Sequence, residues 1–197
     1  MPRAGLTRAT VVAAAADLAD EVGWERLTLA ALAGRLGVRL PSLYKHIASF
    51  DALRRDVAVL AVTELGDAMT AAAVGRAGPD ALRSVAAAYR RYGQGHPGRY
   101  PATVRAPAAE DEAHTAAAAT VLRIVLAVLA GYGLDDADAI DAARALRASL
   151  HGFVTLEAGG GFGMPYDVDR SYDRLIDGFD AMLHRWSDAV PPQSPNT

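Results

Sequence analysis

What most constrains the fold of this chain is the period of its apolar residues. Val11, Ala15, Leu18 and Val22 recur at i, i+4, i+7 and i+11, which is one stripe of a helix. The same spacing returns in Phe50, Leu53, Val57 and Leu60, and again in Tyr172, Ile176, Phe179, Leu183 and Trp186. No alternating apolar-polar run of strand length interrupts it, so the expected fold class is all-α. With 197 residues the chain can bury one good core, or one core plus a small satellite domain.

The helix breakers divide that pattern. Thr7 is placed to cap a first helix, which Gly23 ends. Thr28 caps a short second helix that stops at Gly37. Pro41 suits the start of a third, where its missing N–H is no loss. Ser49 caps a longer fourth helix, "FDALRRDVAVLAVTELGDAM". Beyond Gly75 the spacing predicts a helix from Pro79 through Tyr92, a broken region "GQGHPGRYPATVRAP", and long helices over 108–134 and 135–158. A "GGGFGMP" loop and a last helix over 169–186 follow. The expected organisation is a three-helix helix-turn-helix domain over residues 1–50, a helical bundle over 51–190, and a polar, disordered tail over 191–197.

Charge is informative where it is local. The formal net charge of −3 gives no global argument for nucleic acid. Between Leu27 and Phe50, however, stand Arg35, Arg39 and Lys45 with no acid, and Lys45 is the only lysine in the chain. Acids collect later, at 110–112 and 135–141. A basic patch on an otherwise acidic chain is the electrostatic footprint of a DNA contact.

Other function classes find little support. The chain has no cysteine, which excludes disulfides and thiolate metal sites and fits a reducing cytosol. Among His96, His114, His151 and His184 no two stand at i, i+4, so no metal is expected. "EAGGGFG" follows a helix and lacks the GK[ST] ending of a phosphate loop; it reads as a flexible corner. "EDE" at 110–112 suits the first turn of a helix better than a catalytic carboxylate pair. The N-terminal apolar run carries Asp17, Asp20 and Glu21, unlike a signal peptide. Thr115–Leu134 has Arg123 as its only charge, and a buried central helix is expected there rather than a membrane span. The expected protein is cytoplasmic, not an enzyme, and without cofactor.

The helix-turn-helix itself asks for particular residues. Ala33 is small where the second helix crosses the third, and Gly37 can take the left-handed turn conformation. Val38, Leu43 and Ile47 face inward. Arg39, Ser42, Lys45 and His46 then lie on the outer face of the third helix, with Tyr44 at its flank. Side chains of this kind reach base edges and phosphates in a major groove. On spacing alone, the alternative is that Tyr44 is a core aromatic and Lys45 and His46 a solvated face.

Residues 7–57 resemble the N-terminal domain of TetR-family transcriptional regulators. The matching elements are "LTRATVVAAAADLADEVGWERLTLAALAGRLGV", "PSLYKHI" and "LRRDV". The resemblance implies an Ω-shaped homodimer whose two heads read a palindromic operator in double-stranded DNA, with half-sites about one helical turn apart. It assigns Tyr44 and His46 to the phosphates, Lys45 to backbone or base, and Leu40, Pro41 and Ser42 to base-reading positions. Thr28 and Arg39 complete the implied DNA-contacting set. Ala48 and Phe50 stand where many relatives carry lysines, and Arg3 and Arg8 are candidates to compensate. "HPGRYPATVRAP" and "LHGFVTLEAGGGF" resemble the subgroup with a Trp-His-Gly signature, of which His151 and Gly152 supply the last two letters.

The resemblance also implies a small-molecule effector in the rear bundle, most simply releasing a repressor from DNA. Met69, Tyr89, Tyr92, Tyr100, His151 and Phe153 are the candidate lining; ordinary core packing is the alternative for each. The family's dimer contact through its last two helices points to Ile140, Leu146, Leu150 and Phe153 with Ile176, Phe179, Leu183 and Trp186. Alternatively those stripes close one chain's own core. A second functional reading keeps the DNA contact but replaces the effector with a protein partner.

Overall fold

The computed structural model describes residues 6–186; the tail expected over 191–197 and Arg3 lie outside them. Eight α-helices and no strand occur among the described residues: α1 (Arg8–Val22), α2 (Leu29–Leu36), α3 (Leu40–Leu43), α4 (Phe50–Ala73), α5 (Gly78–Gly95), α6 (Glu112–Ala130), α7 (Asp136–Ala158) and α8 (Val168–Leu183). Two 3-10 turns, Trp24–Arg26 and Tyr100–Val104, join them.

The helices gather into two compact units. Of the described residues, the first takes in those up to Ala68 together with Arg91–Val121. The second takes in Met69–Arg90 together with the described residues from Leu122 onward.

In the first unit, α1 begins with a reciprocal cap between Thr7 and Thr10, which satisfies donors that a helix start leaves open. Its buried residues Val11, Val12, Ala15, Ala16, Leu18 and Ala19 pack with Leu27, Leu32, Ala33, Leu43, Ile47, Leu53 and Val57 in one core. Leu32, Leu43, Leu53, Val11 and Val57 are among the largest fully buried side chains. Replacing one such leucine by alanine costs about 2–5 kcal/mol in a core of this kind. α6 packs one face on α4, where Gly66 lies beside Thr120 and Val121.

α6 departs from expectation. It is long and apolar enough to cross a membrane, yet only 22% of that window is buried. Leu122 is exposed, and Val121, Ile124, Val125 and Leu126 are only partly covered within the chain, so this is not the buried central helix expected.

In the second unit α7 and α8 pack as neighbours. Leu146, Leu150, Val154, Tyr172, Ile176, Phe179 and Leu183 are buried between them and the rest of the unit. The Arg90 guanidinium stacks 4.8 Å from the Tyr172 ring and holds Glu157 through two hydrogen bonds. Tyr172 donates to the Ala86 carbonyl at 2.7 Å.

Candidate nucleic-acid interface

The turn between α2 and α3 is built by one residue that tolerates a left-handed backbone. Gly37 sits at φ 65° and ψ 30°. That conformation lets the Gly37 N–H reach Gly34 and the Val38 N–H reach Ala33 at 3.0 Å, closing the last turn of α2. Ala33 beneath is buried, small enough for the two helices to cross. Thr28 accepts from the Ala31 N–H at 3.2 Å and so caps α2, its role here being structural whatever else it meets.

α3 begins at Leu40 with Pro41 at its second position, one residue earlier than expected. Both positions lack an intrahelical acceptor, so the proline is equally at ease. The helix is a single turn. Leu43 then accepts from both His46 (2.8 Å) and Ile47 (3.1 Å), which tightens the chain into a turn instead of continuing it. Ile47 must be buried and Ser49 must cap α4 through the Ala52 N–H, so no room remains for a longer helix. Tyr44, Lys45 and His46 therefore project from the turn after α3 rather than from its outer face.

The electrostatics separate these side chains from other basic residues nearby. Arg39, Tyr44 and Lys45 are exposed and His46 is half-buried. Among the described residues none of the four side chains has a hydrogen-bond or ion-pair partner. Three neighbouring arginines are engaged instead. Arg35 holds Glu21 at 2.6 Å, and Arg54 holds Glu25 at 3.1 Å while stacking 4.6 Å from the Trp24 ring. Arg8, a candidate to stand in for the missing lysines, makes two 2.7 Å hydrogen bonds to Asp56. At the positions of those lysines, Ala48 is exposed, and the Phe50 ring lies 5.8 Å from the Arg54 guanidinium.

Asp56 is the residue that sequence reasoning misses here. Burial alone raises its carboxyl, but hydrogen bonds from Arg8 and then Arg55 outweigh that and hold it below the usual range. Arg55 also pairs with Asp111, whose carboxyl is lowered to about 2 chiefly by that hydrogen bond and next by the His114 N–H. Asp111 thus caps α6 and anchors it to α4.

The effector candidates fall in both units. Tyr92 and Tyr100 belong to the first, where the Tyr92 hydroxyl donates to Glu64 at 2.9 Å and its ring lies 4.8 Å from His96. Met69, Tyr89, His151 and Phe153 belong to the second. Phe153 packs edge-on to Tyr172 at 4.9 Å, and Met69 is fully buried. Burial, then Arg147, lowers the His151 pKa. A cleft of about 660 Å³ in the second unit is lined by Leu126, Ala130, Leu134, Ile140 and Arg144 among others, and by none of the six.

Similarity to known proteins agrees with the geometry of the turn. The chain is 42% identical to an uncharacterized HTH-type transcriptional regulator of Mycobacterium tuberculosis, Rv0681, over 80% of its own length and 72% of the relative's. It is 36% identical to an HTH-type regulator of Bacillus subtilis, YobS, over 85% and 87% of the two chains. Residues 82–179 match the family described as "Tetracyclin repressor-like, C-terminal domain". This chain belongs to the TetR family of transcriptional regulators. Solved structures share the fold. A Rhodococcus protein of unknown function superposes with a TM-score of 0.78 at 23% identity, covering 93% of this chain and 98% of that one. A TetR variant of Acinetobacter baumannii, crystallised with minocycline, gives 0.71 at 23% identity over 92% and 98%.

Proposed function

We propose that this TetR-family protein is a homodimeric repressor that reads a palindromic operator and is released from it by a small molecule. The observation that carries the DNA-reading half is the isolation of one set of donors. Arg39, Tyr44, Lys45 and His46 are without partners around the helix-turn-helix, whereas Arg8, Arg35 and Arg54 are neutralised by acids on the same surface. Unpaired cations on an acidic protein are where phosphates displace counterions. Leu40, Pro41 and Ser42, at the start of α3, are the base-reading positions of this proposal.

The dimer of this proposal uses a different stripe from the one the apolar period picks out. Leu146, Leu150, Ile176, Phe179 and Leu183 are already covered within one chain, and Trp186 is half-buried. A third of a turn away, α7 presents Ala145, Ala148, Ser149, Gly152 and Thr155, and α8 presents Leu175, Gly178, Ala181 and Met182. Gly152 and Gly178 have open space above them. The small residues of α7, and Gly178 and Ala181 between Leu175 and Met182 on α8, suit the close packing of a four-helix contact between two copies.

Gel shift with the protein's own upstream DNA tests the reading. Tight binding to one palindrome, lost with Tyr44→Ala, supports it; equal binding to random duplex, indifferent to that change, overturns it. A second reading, a protein partner in place of an effector, draws on the exposed apolar side chains Leu156, Met164 and Tyr166. A thermal-shift screen separates the two, because an effector stabilises the folded state by mass action.

A further inference from the structure

The segment following α5 carries an arginine that is 5% exposed, and its guanidinium is the meeting point of two helices. Arg99 donates from Nε to Asp20 at 2.9 Å, from Nη2 to Asp17 at 2.5 Å, and from Nη1 to both Glu64 oxygens at 3.1 and 3.2 Å. Asp17 and Asp20 stand one turn apart near the end of α1, and Glu64 stands on α4. Asp20 also accepts the backbone N–H groups of Gly98 (3.0 Å) and Arg99 (2.8 Å) and lies 3.1 Å from His96 Nδ1. Glu64 accepts the Tyr92 hydroxyl. Every member belongs to the first unit.

We propose that Arg99 is a positioning residue that, beside the Leu53 and Val57 packing and the Arg8–Asp56 pair, holds the angle of the DNA-reading head on α4. The inference rests on the DNA-reading assignment of α2 and α3. α1 shares one core with α2, α3 and the first turns of α4, so whatever fixes α1 on the rest of α4 fixes the reading surface. A buried ion pair adds little net stability over an apolar side chain of equal volume. What the planar guanidinium adds is direction: its three nitrogens address three carboxylates on two helices, and the contacts to Asp17 and Asp20 on α1 and to Glu64 on α4 do not all survive a rotation of α1 against α4. Tyr92 and His96, on the approach to the clamp, tie it to the end of α5. A small molecule that displaces residues 92–99 therefore releases the head without touching it.

The test separates the charge of Arg99 from its geometry. The 197-residue wild type and Arg99→Lys are titrated against the upstream duplex and against versions whose half-site spacing is changed by one or two base pairs. Lysine keeps the charge but not the fork. The expected variant is folded, binds the parent spacing about tenfold more weakly and discriminates less between spacings. Its salt slope is unchanged because no phosphate contact is lost. Hydrogen exchange without DNA is expected to accelerate at the end of α1. An Arg99→Lys protein with wild-type spacing preference and wild-type exchange overturns the proposal. Should it fail to fold, Asp17→Asn removes one half-exposed carboxylate instead. A relaxed spacing preference there supports the clamp, and an unchanged one overturns it. Wild-type protein without sequence-selective binding overturns the DNA-reading assignment and this proposal together.

Discussion

Gly98 lies against the end of α1 so closely that a Cβ on it would stand 1.7 Å from the Ala19 carbonyl oxygen. The approach is what brings the Gly98 and Arg99 N–H groups onto Asp20. Backbone faces backbone here, so no side-chain rotation relieves the clash. Gly98→Ala is therefore expected to separate the 96–99 segment from α1, at a cost at or above the usual ~1–3 kcal/mol of overpacking. Urea denaturation and exchange at Ala19–Val22 measure it, and a variant with wild-type stability contradicts the packing described.

The unpaired donors around α3 make a quantitative prediction. If Lys45 meets a phosphate, as proposed, Lys45→Ala is expected to flatten the dependence of log K on log salt by about 0.9, uniformly across sequences. A change at a proposed base-reading position such as Ser42→Ala is expected to weaken discrimination between operators with the slope intact. Fluorescence anisotropy at several salt concentrations distinguishes the two outcomes.

Asp56 offers the reverse experiment. With an amide in place of the Asp56 carboxylate, Arg8 loses the ion pair and one of its two 2.7 Å hydrogen bonds and becomes more available to phosphate. Asp56→Asn is expected to steepen the salt dependence by up to about one unit while lowering thermal stability. The same variant with Arg8→Ala is expected to return the slope to the wild-type value, which identifies Arg8 as the source.

The helix ends are legible in the sequence because caps are local: Thr7, Thr28 and Ser49 meet donors three residues on, and Gly37 needs only its own backbone freedom. The end of α3 is less so, since the burial of Ile47 and the capping of α4 decide it from outside the helix. Asp20 and Arg99 are far apart in the chain, and no spacing rule joins them; the proline-and-glycine-rich stretch around Arg99 signals only a break. Periodicity marks the apolar stripes of α7 and α8, of which Leu146, Leu150, Ile176, Phe179 and Leu183 are buried while Ile140, Phe153 and Trp186 are half-buried. It carries no sign of whether the covering surface comes from the same chain or another.

Asp111 sets an acid limit on the first unit. Its folded carboxyl is lowered to about 2, against about 3.9 in an unfolded chain. As pH falls, the unfolded chain binds this proton first, so the stabilisation present above pH about 4 is lost on the way down to about 2. Asp111→Asn is expected to remove that part of the acid transition, leaving stability at pH 7 lower and less sensitive to pH below about 4. Chemical denaturation at a series of pH values shows whether the slope changes.

The two stripes of α7 predict opposite phenotypes. Leu146 is buried inside one chain, so Leu146→Ala is expected to lower stability by about 2–5 kcal/mol and to leave the dimer mass unchanged at native temperature. An added Cβ at Gly152 meets nothing of its own chain within 4 Å. Gly152→Glu is therefore expected to keep the monomer's helix content and to raise the dimer dissociation constant strongly, because a charge is then forced into a close helix contact. Sedimentation measures the mass and circular dichroism the fold. A Gly152→Glu protein that remains dimeric moves the interface to another face, and a Leu146→Ala protein that dissociates while staying folded returns it to the inward stripe.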